Sequence, residues 1–99
     1  MTTPDERRRN LIWGHEALTE LAQDGALPPD WRIEAETLLG GYPPLARLQQ
    51  ADAGDLERLQ EEFVDVLCES KWFFMRVRGH PTSTERRRYS LLVILRHFV

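Results

Sequence analysis

The clearest pattern of apolar and polar positions runs from Asp52 to Val77. Leu56, Leu59, Phe63, Val66, Ser70, Phe73 and Val77 follow one another at steps of three and four. That spacing places them on one face of a helix, with Leu67 and Phe74 widening the stripe. Asp52 and Asp55 suit a helix N-terminus, and Arg76, Arg78 and Gly79 supply a cationic last turn and a stop. A helix of this length measures roughly 39 Å. A compact chain of this size is on the order of 33 Å across, so the predicted helix crosses the whole domain.

The flanking segments read as shorter helices. Thr3, Pro4 and Glu6 form a capping box with proline in the first turn. The helix that follows presents Leu11, His15, Leu18, Leu21 and Ala22 on one face, and Gly25 is its expected left-handed stop. Pro29 and Asp30 start a second helix carrying Ile33, Ala35, Leu38 and Leu39, which Gly40 and Gly41 end. Pro43 and Pro44 reset the direction, and Leu45 to Gln50 makes a short third helix. After the loop at residues 79–84, where Thr82 and Glu85 are spaced as a capping box and Ser83 and Thr84 are alternative caps, Glu85 to Val99 forms the last helix. Its run Leu91 to Leu95 is apolar on all sides and predicts burial nearly all round. Residues 71–77 and 89–98 also suit paired strands, but the stripe continuing from Leu56 favours helix. The reading is one all-α domain over residues 1–99, with four or five helices along a central helix at about 52–77.

Composition changes the picture mainly through charge. At 41% hydrophobic and 29% charged the chain is globular, and its net charge is −3. Residues 1–70 carry 15 acids and 6 Lys or Arg, a net −9, whereas residues 71–99 carry 1 acid and 7 bases, a net +6. The basic third either folds onto the acidic remainder or offers Arg76, Arg78, Arg86, Arg87 and Arg88 to an anion. No apolar segment is long enough to span a bilayer or serve as a signal peptide, and Cys68 is the single cysteine. These features predict a cytoplasmic location and no membrane partner.

Catalytic and metal patterns are missing from the sequence. No HExxH, CxxC, GxSxG or P-loop spacing occurs. Glu62, Asp65 and Glu69 share a helical face but lack the Glu-x-x-His pattern of a di-metal bundle. Cys68 has no neighbour in sequence that would activate its thiol, and His15 reads as a core residue. The expectation is no enzyme, no metal and no cofactor. The aromatic cluster Trp72, Phe73, Phe74 and Met75 wraps too far round its helix for one seam. Trp72, Met75, Leu91, Ile94 and Leu95 are therefore the expected partner surface, in a homodimer or against another protein. A nucleic-acid role for the Arg-rich third is the alternative.

The opening MTTPDERRR and the stretch LPPDWRIEAETLLGGYP resemble a group of short bacterial and prophage helical proteins. The shared positions are Pro4, Asp5, Glu6, Arg7, Arg32, Glu34, Ala35, Leu38, Leu39, Tyr42 and Pro43. That group is similar to small phage proteins that block bacterial quorum-sensing regulators. The resemblance covers about the first 45 residues, brings no catalytic residues with it, and stops before the second half. It implies a small phage-derived helical regulator or inhibitor that acts by contact.

Overall fold

The computed structural model describes residues 2–98, so Met1 and Val99, at the ends of the expected first and last segments, lie outside the described residues. Among the described residues the chain forms six α-helices and no strand: α1 Pro4–Ala22, α2 Pro29–Gly41, α3 Leu45–Gln50, α4 Ala53–Glu62, α5 Val64–Arg78 and α6 Glu85–Arg96. The all-α reading holds, and residues 71–77 and 89–95 are helical. The helix count and the central helix differ from expectation.

Local signals set most helix starts. Thr3 accepts from the Glu6 N–H and Glu6 reaches back to Thr3, closing the capping box with Pro4 in the first turn. Asp52 and Asp55 form the same reciprocal pair at α4. The capping box expected of Thr82 and Glu85 does not form, since Thr82 bonds to His80; the cap is the alternative Thr84, accepting from the Arg87 N–H at 3.1 Å. Ser83 is buried instead and donates to the Val77 carbonyl. The stops use different geometry from that expected. No described residue has positive φ, glycines included. Gln23 caps α1 at φ −107°, and Gly79 caps α5 at φ −84°.

The helix expected over 52–77 is two helices. Phe63 leaves the helical region at φ −108° and ψ 20°, although its N–H still donates to the Leu59 carbonyl at 2.9 Å. The reason lies in what each half must reach. Helix α4 packs on α1, while α5 packs on α2 and α6. An unbroken rod of that length would match the domain's longest dimension, 38 Å, and would hold only one direction. The Phe63 ring rests partly buried against the core, with the Arg47 guanidinium 5.6 Å from its centre and Arg47 paired to Glu62 at 3.0 Å. That arrangement pins the joint.

The core is built from leucines of all six helices and aromatics of α5 and the helix ends. Leu11, Leu18, Leu48, Leu67, Phe73, Phe74 and Val77 are fully buried. Tyr42 donates its hydroxyl to the Leu11 carbonyl at 2.6 Å, and burial pushes its phenol pKa far above the usual range. Tyr42 stacks on Phe98, which meets Phe74 edge-on at 5.6 Å between ring centres. Both rings press on α1 at Gly14. A Cβ there would sit 2.5 Å from the Tyr42 hydroxyl and 2.6 Å from a Phe98 ring carbon. Asn10, also fully buried, donates to the Val93 and Ile94 carbonyls at 2.9 and 3.0 Å. It thus caps the open carbonyl end of α6 from a neighbouring helix.

Substitutions at glycine and asparagine separate these roles. Gly14→Ala destabilises by about 1–3 kcal/mol through overpacking, despite alanine's helix propensity. Gly40→Ala, where an added Cβ meets nothing within 4 Å, stabilises by about 0.5–1 kcal/mol. Urea denaturation of the two variants gives midpoints shifted in opposite directions. Asn10→Ala costs about 1–3 kcal/mol by the same measurement, because the Val93 carbonyl loses the Asn10 amide and the Ile94 carbonyl keeps only the 3.4 Å bond from the His97 N–H.

Candidate functional site

Helices α1 and α6 run antiparallel and are tied at both ends. Asn10 holds the C-terminal turn of α6, and Arg87 in its first turn pairs with Asp24 just past the end of α1. Between these ties lies a groove of about 500 Å³. Its floor is Leu21, Leu91 and Ile94, none more than 5% exposed. Trp13, Glu16, Ala17 and Glu20 form the α1 wall; their spacing makes a second stripe beside the core stripe of Leu11, Leu18 and Leu21. Tyr89, Ser90 and Val93 form the facing wall, with Arg86 at the rim. The small side chain of Ala17 leaves the depth between them.

The groove carries charge on both lips. Glu16, Glu20 and Arg86 make no ion pair among the described residues. Arg9 stacks its guanidinium 4.8 Å from the centre of the Trp13 ring, at the rim. At the closed end, the Ala26 backbone N–H and then Arg87 hold the Asp24 carboxyl below its ordinary value of 3.8.

The sequence-predicted partner surface is divided by the fold. Leu91 and Ile94 are buried against this chain's own α1, and Leu95 is half-buried on the core. The last helix is accordingly not covered all round, for Leu92 stays 40% exposed. Helix α1 supplies the cover that had been assigned to a second copy. Trp72 and Met75 stand elsewhere, 62% and 44% exposed on the outer side of α5. Trp72 also edges a shallow depression between α2 and α5, with Glu34, Thr37 and Arg76.

The predicted anion-contact arginines also part company. Arg76 places Nη2 2.7 Å from both Glu34 carboxylate oxygens and lies over the Trp31 and Phe73 rings at 5.8 and 5.5 Å. It clips α5 to α2. Arg87 is committed to Asp24, whereas Arg78, Arg86 and Arg88 are exposed and make no ion pair among the described residues. In these two clips the basic third meets the acidic remainder. Cys68 is exposed on α5, and His15 is half-buried with its ring edge-on to Tyr42. Among the described residues no three His, Cys, Asp or Glu side chains are grouped to hold a metal, and no helix is long and apolar enough to cross a membrane.

Sequence reasoning missed the α1 wall and Tyr89. The available signal was Trp13, a large apolar residue off the core stripe, three, four and seven positions before Glu16, Ala17 and Glu20. Compared with known protein families, curated proteins and solved structures, the chain finds no match.

The Asp24–Arg87 tie has a pH signature. Because the folded carboxyl titrates below its unfolded value, its stabilisation is fully present above the ordinary aspartate range. It is lost as pH falls through the depressed folded value, while Arg87 stays charged. Denaturation midpoints between about pH 5 and pH 2 should fall less steeply for Asp24→Asn than for the wild type.

Proposed function

We propose that the protein is a small non-enzymatic regulator or inhibitor that acts by contact, with the α1–α6 groove receiving a helix of another protein. The groove itself carries this reading: an apolar floor, an exposed aromatic on each wall and uncommitted charges at the lips. Amphipathic helices are recognised in such grooves through a few apolar anchors, and aromatic residues dominate the energetics of such contacts. Glu16 and Glu20 on one lip favour a partner helix with basic residues along that side. The resemblance of about the first 45 residues to short bacterial and prophage helical proteins, a group similar to small phage proteins that block quorum-sensing regulators, supports a phage origin and an inhibitory role. An exposed, unpaired Cys68 fits the reducing cytoplasm. Protein contact is preferred to nucleic acid because the groove floor is apolar, residues 1–70 carry a net −9, and two of the five candidate arginines, Arg76 and Arg87, are paired with Glu34 and Asp24.

Affinity capture from a nuclease-treated host lysate tests the reading. Wild-type protein should retain a defined protein partner. Ala17→Arg, which fills the groove from a half-buried position, should retain at least about tenfold less at unchanged far-UV circular dichroism. Arg78→Ala should capture normally. Equal capture by Ala17→Arg, or capture abolished by nuclease, would refute the proposal.

A further inference from the structure

Helix α5 has two faces of opposite character. Leu67, Ser70, Phe73, Phe74 and Val77 are buried in the domain. Val64, Cys68, Trp72 and Met75 follow at steps of four, four and three, and all four are exposed. At 100° per residue they fall within an arc of about 80°, across the helix from the buried set. Three large apolar side chains and a thiol thus form one continuous stripe that no other part of the described chain covers.

The charges on the same helix say what fits against it. Asp65 lies near the N-terminal end and Arg76 near the C-terminal end on the same flank of the stripe, whereas Glu69 and Lys71 lie near the middle and Arg78 on the opposite flank. A second helix of the same sequence laid antiparallel sets Asp65 of each copy beside Arg76 of the other and opposes the two helix dipoles. A parallel copy would set like ends together.

We infer that two copies of this chain pair through the outer face of α5, antiparallel, about a two-fold axis passing near residues 69 and 70. Val64 of one copy then faces Met75 of the other, and Cys68 faces Trp72; the midpoints of the two pairs lie only half a residue apart along the helix. The same axis brings Asp65 within a turn of the second copy's Arg76. Glu34 engages Nη2 of that guanidinium, so other donors remain for Asp65. The surface belongs to a different helix from the α1–α6 groove, so the inference does not rest on the groove.

The register makes the inference testable by exchange. Wild-type protein should sediment as a dimer at about 100 μM, and a short bis-maleimide should join the two Cys68 thiols, whose helix axes lie about 10 Å apart at that level. Val64→Lys and Met75→Glu, both at exposed positions, should each weaken dimerisation at least about tenfold with circular dichroism unchanged. Combined in one chain they should restore the dimer, because each new lysine meets a new glutamate across the axis. A monomeric wild type would overturn the inference, as would a double variant no tighter than either single one. Neither result would alter partner capture through the groove.

Discussion

The bare Cα of Gly14 lets two aromatic rings lie against the backbone of α1. Tyr42 arrives there from the end of α2 and Phe98 from just beyond α6, and Phe98 in turn meets Phe74 of α5. Three helices therefore take their distance from α1 at one point. The Tyr42 hydroxyl, donating to the Leu11 carbonyl, fixes the orientation as well as the distance. This is a polar bond in a dry place, where mispositioning leaves a hydroxyl unpaired, so it selects one arrangement of the rings.

The turn at Phe63 complements that junction. With α1 anchored, the chain must cover it with the leucines of α4 and then redirect the aromatics of α5 toward α2 and α6. One residue outside helical geometry achieves both. The clips Arg76–Glu34 and Arg87–Asp24 lie at the edges of this arrangement, where solvent screening leaves them modest in energy but specific in geometry.

How much of this was legible depends on whether the cause is local. The Thr3–Glu6 capping box, the Asp52 cap, the prolines that open α2 and the apolar face of α1 are each written within a few residues, and each is found as read. The break at Phe63 is not local: Phe63 continues the stripe on either side, and only the positions of α1, α2 and α6 require the bend. Leu91 and Ile94 were recognised as needing cover, but the sequence does not say that α1 provides it. Gly14 sits unobtrusively mid-helix, and a glycine in that position commonly marks a packing contact. The groove needs two helices to exist, so only Trp13, off the core stripe, hinted at it.

The seam between α1 and α6 joins residues far apart along the chain. Asn10 meets Val93 and Ile94, Glu6 meets His97 at 3.0 Å, and the Thr2 hydroxyl lies 3.0 Å from His97 Nδ1. These contacts close loops of more than eighty residues, whereas α1 and α2 meet across a short turn. Loop closure must be met in entropy before such contacts repay it. The α1–α2 hairpin can thus assemble early, and α6 docks after most of the chain has collapsed. The groove, floored by α6, is then the last surface to come into existence during folding.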